Sequence, residues 1–137
     1  MNPVKVGIIG LGTVGAGTVT VLARNHEEIV RRAGREINIC LAATRHPTKK
    51  RNCPLEGIKL TDDPMEVAVN PELDVVVELM GGVDTAKTVL LRAIEHGKHI
   101  VTANKHLIAL HGNEIFSRAQ QKGVMVAFEA AVAGGIP

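Results

Sequence analysis

A glycine-rich segment near the start of the chain has the spacing of a phosphate-binding loop. The apolar run Val4–Ile9 passes into Gly-Leu-Gly-Thr-Val-Gly, and a helical pattern follows. In such a loop the first glycine lets the chain turn out of the strand, the second leaves space for a pyrophosphate, and the third lets the helix pack closely. The free N–H groups of the following helix attract phosphate. We therefore predict a dinucleotide site; the alternative is a tight strand-to-helix turn without a ligand. The residues predicted to form the site are Gly10, Leu11, Gly12, Thr13, Val14 and Gly15.

A basic segment follows the second apolar run, Ile37–Ala43. In sites that prefer NAD, an Asp or Glu at this point binds the hydroxyls of the adenosine ribose. No carboxylate is present here, and Ala43 and Arg45 are the residues predicted to contact the cofactor. Because a guanidinium can hold a phosphate by two charge-assisted hydrogen bonds, Arg45 favours the 2′-phosphate of NADP, with NAD as the other possible cofactor. The alternative is a solvated basic loop, an interpretation that suits Lys49, Lys50 and Arg51 best.

Two later strand ends also carry residues suited to a ligand crevice. The run Asp74–Met80 leads into Gly81 and Gly82, which bring a ligand close to bare backbone. The run His99–Thr102 leads into Lys105, the one lysine predicted to lie at a strand end in the crevice.

A carboxylate, Glu78, lies inside the first of these two runs. A buried carboxylate is costly unless it is paired with a cation or faces the ligand crevice. We favour structural pairing for Glu78, and a role toward the substrate is the alternative.

The pattern of elements explains how these strand ends meet. A short strand is expected at residues 58–61, and a brief helix is expected to begin at Pro64 and end at Asn70. A clear helical stripe covers residues 85–96 and ends at Gly97, a further helix ends at Gly123, and a last strand covers residues 124–128. The apolar residues that mark these two helices are Ala86, Val89, Leu90, Ala93 and Ile94, and then Ile115, Phe116 and Ala119.

Strands alternating with helices predict an α/β fold: a Rossmann-type doubly wound parallel sheet with helices on both faces. In such sheets ligands bind outside the carboxyl ends of the strands. The glycine loop, Arg45, Gly81, Gly82, Lys105 and Glu129 are therefore expected to converge on one crevice.

The composition limits the classes of function. The chain has 137 residues, 45% of them hydrophobic, which suits one domain with a buried core. A formal net charge of +2, no Trp or Tyr and only two Phe argue against nucleic-acid binding. Cys40 and Cys53 have neither disulfide-framework nor zinc-site spacing. With no signal peptide and no apolar run of about 18 residues, we expect a cytoplasmic protein without membrane contact.

Four segments carry a more specific signal when they are taken together. They are Gly10–Gly15, Glu78–Gly82, Thr102–Lys105 and Glu129–Pro137. This combination resembles the nucleotide-binding domain of bacterial homoserine dehydrogenases, and the match covers essentially the whole chain. The resemblance implies an NAD(P)-dependent oxidoreductase that interconverts L-homoserine and L-aspartate 4-semialdehyde in threonine, methionine and isoleucine biosynthesis.

The same resemblance implies roles for individual residues. Residues 11–15 would hold the pyrophosphate, Arg45 the adenosine end, and residues 81–82 would lie near the nicotinamide. Lys105 would face the substrate and the nicotinamide ribose. A lysine in a desolvated crevice can remove the hydroxyl proton, so Lys105 is the candidate catalytic residue; binding a phosphate or carboxylate is the alternative. The backbone carbonyls that match a sodium-binding loop are those of Glu129, Val132, Gly134 and Ile136. Such a sodium ion would be structural.

Members of the family continue beyond this length into a substrate and dimerisation domain. We therefore expect residues 1–130 to form the dinucleotide-binding domain and residues 131–137 to begin a linker. We expect this fragment to bind cofactor weakly and to have little or no turnover alone. The full-length enzyme is expected to form a homo-oligomer through the missing domain. A dinucleotide-sensing regulatory domain and another amino-acid or semialdehyde dehydrogenase are the alternatives. A sensor has no need of Asn104, Lys105 or the Glu129 loop, which favours the enzyme.

Overall fold

One parallel sheet with three helices forms the part of the chain that the structure, a computed structural model, describes: residues 3–10, 37–45, 57–80 and 82–128. The strands are β1 (Val4–Ile9), β2 (Ile37–Ala43), β3 (Lys59–Thr61), β4 (Val75–Glu78), β5 (His99–Thr102) and β6 (Val126–Phe128). The helices are α1 (Pro64–Val69), α2 (Asp84–Glu95) and α3 (Lys105–Lys122).

The strand order is β3-β2-β1-β4-β5-β6, and every neighbouring pair is parallel. The chain builds outward from β1 to β3, then returns to the other side of β1 and builds outward again to β6. This confirms the predicted α/β fold with a doubly wound parallel sheet. The order reverses between β1 and β4, and the carboxyl ends of these two strands therefore border the crevice where such sheets bind ligands.

Alternate strand residues contribute to two separate cores, as the period of two along a strand requires. On one face Val76 and Ile100 pack with residues of all three described helices. On the other face Val6, Ile8 and Ala42 form a second cluster with partly buried neighbours from β1 to β4. The helix expected to cover this second face follows the glycine loop and lies outside the described residues.

The helix boundaries follow the predicted signals closely. Asp63 caps α1 by accepting a hydrogen bond from the Met65 N–H, and Pro64 is the first helical residue. All five residues of the stripe predicted for α2 are buried. The helix α3 ends at Gly123, whose φ of 71° is in the left-handed region.

Several predicted boundaries were wrong by one or two residues. The β4 strand ends at Glu78 rather than Met80, because the Met80 N–H bonds the Glu78 side chain. The last strand begins at Val126, two residues later than predicted. Phe116 lies on α3, the helix that it was predicted to mark, but 43% of its surface is exposed while Ile115 and Ala119 are buried.

No helix in the described part of the chain is both long and apolar enough to cross a membrane. The proposed boundary at residues 130 and 131 falls outside the described residues.

Candidate functional site

The ends of β1, β2 and β4 are joined directly at the carboxyl edge of the sheet. The Gly10 N–H donates to the Ala43 carbonyl at 2.8 Å, and the Leu79 N–H donates to the Ile9 carbonyl at 2.8 Å. Gly10 has a φ of 100°, and a Cβ atom at this position would lie 2.9 Å from both N and Cα of Met80. Gly10 therefore provides the turn out of β1 that the sequence predicted, and it also lets β1 and β4 approach closely at their ends.

The end of β5 is connected to the same edge through Asn104. Its Oδ1 accepts a hydrogen bond from the Leu107 N–H at 3.0 Å and so caps α3, and its Nδ2 donates to the Gly82 carbonyl. Lys105, the first residue of α3, is exposed beside this cap. The Asn104 amide thus fixes the position of Lys105 relative to the loop that contains Gly82.

Glu78 is completely buried beneath this edge. Its Oε1 accepts a hydrogen bond from the Thr102 hydroxyl at 2.7 Å, and its Oε2 accepts one from the Met80 N–H at 2.9 Å. The Thr102 Oγ1 in turn accepts a hydrogen bond from the Asn104 N–H at 3.0 Å. Glu78 is therefore paired within the fold, as favoured from the sequence. Its donors are a hydroxyl and a backbone amide instead of the cation that was expected.

The role of Thr102 as the hydrogen-bond partner of Glu78 and Asn104 was not predicted from the sequence. A signal was available, because Glu78 and Thr102 are the last residues of adjacent parallel strands and lie opposite each other in the sheet register. That register becomes visible only once β4 and β5 are known to be neighbours.

Arg45 lies at the same edge, beyond the end of β2. The Thr44 N–H donates to the Thr61 carbonyl at 2.8 Å, so β2 and β3 remain paired up to the residue before Arg45. Arg45 itself is exposed. Two strands separate β2 from β5, so Arg45 and Lys105 follow strand ends about 14 Å apart, given a strand spacing of about 4.8 Å.

Two glycines follow the strands that lie between those of the two cations. Among the described residues, a Cβ atom at Gly82 would meet no other atom within 4 Å, and Gly10 presents no side chain. Two glycines at this edge, with an exposed cation after each of the flanking strands, suit an elongated ligand that carries phosphates.

The remaining predicted site residues fall outside the described part of the chain, and their roles stay predictions. They are Leu11, Gly12, Thr13, Val14, Gly15 and Gly81 for the cofactor, and Glu129, Val132, Gly134 and Ile136 for the metal ion.

The other buried charged residue in the described ranges lies at the opposite edge of the sheet. The Lys98 Nζ donates to the Leu73 carbonyl at 2.7 Å. Burial lowers the pKa of Lys98, and the neighbouring carboxylate of Asp74 partly opposes this effect. Lys98 precedes the amino end of β5, so it does not take part in the crevice.

A family model described as "Homoserine dehydrogenase, NAD binding domain" matches residues 10–129. The chain belongs to this family. Homoserine dehydrogenase of Pseudomonas aeruginosa is 63% identical over 137 residues, which are 100% of this chain and 31% of that protein. Homoserine dehydrogenase of Bacillus subtilis is 39% identical over 137 residues, 100% of this chain and 32% of that protein.

Solved homoserine dehydrogenases have the same fold. The crystal structure from Thiobacillus denitrificans matches with a TM-score of 0.85 and 56% identity, over 96% of this chain and 30% of that chain. A structure from S. aureus matches with a TM-score of 0.88 and 34% identity, over 96% of this chain and 33% of that chain. The chain thus spans about a third of the length of the homoserine dehydrogenases it matches. The matched region is the NAD-binding domain of the family, so the chain is a domain that binds a nicotinamide dinucleotide cofactor.

Proposed function

We propose that this chain is the cofactor-binding part of a homoserine dehydrogenase, an enzyme that interconverts L-homoserine and L-aspartate 4-semialdehyde. The observation that carries this proposal is that Gly10 and Gly82 follow β1 and β4, the two strands between which the strand order reverses, and that Lys105 follows the neighbouring strand β5. The family membership agrees with it, and the location we expect is the cytoplasm. The amino-acid substrate and the partner subunit would bind mainly to protein beyond residue 137.

The cofactor we propose is NADP in preference to NAD. Arg45 is exposed at the end of β2, and no carboxylate stands at this point to bind ribose hydroxyls. The guanidinium would hold the 2′-phosphate by paired hydrogen bonds. A structural sodium ion on the carbonyls of Glu129, Val132, Gly134 and Ile136 remains part of the proposal on the basis of the sequence alone.

A bound nicotinamide supplies the hydride acceptor or donor. Lys105 would remove the proton of the substrate hydroxyl during oxidation and return it during reduction. The Lys105 side chain is exposed in this chain, and the proposed reaction requires that ligand and further protein cover the crevice and exclude water. For this reason we expect the chain alone to bind nucleotide without turning over homoserine.

The enzyme proposal is tested by homoserine oxidation in the full-length enzyme that carries this domain. We expect Lys105→Ala to lower kcat about a hundred-fold or more, as the loss of a general base does. The matched control is Lys122→Ala, an exposed lysine at the other end of α3, and it should leave kcat unchanged. Equal kcat values in the two variants would show that Lys105 takes no part in the reaction. Absence of homoserine turnover in the unsubstituted enzyme would refute the proposed function.

A further inference from the structure

Glu78 places a carboxylate at a buried position, where an apolar side chain would need less free energy of desolvation. It is fully buried, and its Cα lies in register with that of Thr102 at the ends of β4 and β5. A buried carboxylate needs hydrogen bonds to offset its lost hydration, and an apolar pair of similar volume often gives equal or greater stability. A contribution to stability alone is therefore a weak explanation for this carboxylate.

The hydrogen bonds of Glu78 form a closed ring with the edge of the crevice. The carboxylate binds the Met80 N–H and the Thr102 hydroxyl, and the Thr102 oxygen accepts from the Asn104 N–H. The Asn104 side chain then returns to the loop after β4 by donating to the Gly82 carbonyl. We call these five residues, Glu78, Met80, Gly82, Thr102 and Asn104, the crevice ring.

The crevice ring contacts two groups at the edge of the sheet that were predicted to border the crevice. On one side, the Met80 backbone is the surface that Gly10 contacts. On the other side, Asn104 caps α3 immediately before Lys105. A polar network in which every group is satisfied fixes one geometry more strictly than apolar packing does. Any shift of the Glu78 carboxylate is therefore transmitted to both sides.

We propose that Glu78 and Thr102 are positioning residues that hold the loop after β4 and the first turn of α3 at a fixed separation, which places Lys105 beside the nicotinamide end of the crevice. This inference rests on the function proposed above. Neither side chain touches the ligand, because both are buried beneath the edge and are bonded to each other.

The test compares Thr102→Val with Thr102→Ser in the full-length enzyme. Valine keeps the shape of the side chain but removes the hydroxyl that serves both Glu78 and Asn104, whereas serine retains that hydroxyl. The matched control is Thr88→Val on α2, which removes an exposed hydroxyl bonded to the Asp84 carbonyl. Glu78→Gln is the second variant, because it keeps the size of the side chain but turns one acceptor into a donor.

We expect Thr102→Val to lower kcat about ten- to a hundred-fold, because a small misplacement of a reacting group costs that much. Thr102→Ser should restore kcat. In a Lys105→Ala background the Thr102→Val change should have little further effect, since residues that act as one unit are not additive. In the nucleotide-free protein, the NMR amide signals of Gly82 and Lys105 should shift in Thr102→Val and Glu78→Gln but not in Thr88→Val.

The inference is overturned if Thr102→Val lowers the midpoint of unfolding while kcat and the Lys105 amide signal match those of Thr88→Val. It is also overturned if neither Thr102→Val nor Glu78→Gln folds, since the ring would then be required for the fold itself. Failure of the proposed function looks different: the unsubstituted enzyme would not oxidise homoserine, while the amide signals would still respond to the ring variants.

Discussion

The backbone of Met80 lies so close to Gly10 that no side chain can be placed at position 10 without moving the segment that follows β4. Two separate requirements meet at this residue: a left-handed φ of 100° and an approach of 2.9 Å between an ideal Cβ and backbone atoms. The glycine spacing of the sequence predicted the turn. It could not predict the approach, because that depends on Met80, which is distant in the sequence and becomes a neighbour only through the sheet topology.

Gly10→Ala should therefore destabilise the fold more than the same substitution at a glycine that also has a positive φ but has no neighbouring atoms in the way of a Cβ. Gly97 is that control, with a φ of 76° and no atom within 4 Å of an ideal Cβ. We expect Gly97→Ala to cost about 1–2 kcal/mol for the left-handed conformation. Gly10→Ala should cost about 1–3 kcal/mol more, because the backbone it would overlap must move.

Urea unfolding of the two variants measures this difference, and calorimetry of Gly10→Ala should also show weaker nucleotide binding. Equal losses of unfolding free energy would mean that the segment after β4 moves at little cost, and that its close approach to Gly10 does not contribute to stability.

At the scale of elements, the sequence predicted what depends on local periodicity. The buried stripe of α2, the Pro64 start of α1 and the Gly123 end of α3 all follow from spacing and capping preferences within a few residues. The end of β4 at Glu78 and the exposure of Phe116 did not, because they are decided by which strand or helix lies opposite.

The turns at the amino edge are connected by a lysine that no sequence signal identified. Lys98, between α2 and β5, donates from its Nζ to the Leu73 carbonyl before β4. Asp74, the next residue, accepts at Oδ2 from the Lys5 N–H of β1. On this side of the sheet, charged groups therefore connect the segment before β4 to the turn after α2 and to β1, while the opposite side holds the crevice.

Lys98 gives the stability of the protein a defined dependence on pH. Burial lowers its pKa in the folded state below the ordinary value for lysine. As the pH falls through the lowered pKa, the folded protein must hold a buried charge and loses stability. As the pH rises toward the ordinary pKa, the folded state releases its proton before the unfolded state does, and stability rises.

We expect the unfolding free energy of the unsubstituted protein, relative to Lys98→Met, to increase across this alkaline window. Urea unfolding at several pH values measures it. Lys122→Met, which removes an exposed lysine, is the control and should show no such trend. A difference between the protein and Lys98→Met that is constant with pH would contradict the assignment.

At the scale of the whole molecule, topology rules predicted the convergence of the strand ends better than any single motif did. The right-handed crossovers of a doubly wound sheet bring Ala43, Gly10, Gly82 and Lys105 to one edge although 95 residues separate Gly10 from Lys105. The hydrogen bonds that hold this edge together could not be predicted, because Glu78 offered two reasonable roles and only the register with Thr102 selects one.

The most direct test of the account maps nucleotide binding on this chain by NMR amide shifts during titration with NADP and with NAD. We expect shifts at Gly10, Gly82 and Lys105 with both nucleotides, a shift at Arg45 that is larger with NADP, and none at Asp74 or Lys98. Shifts confined to the amino edge, or to the groove between α2 and α3 around Lys87 and Glu114, would contradict it. An Arg45 signal that responds equally to both nucleotides would contradict the proposed preference for NADP.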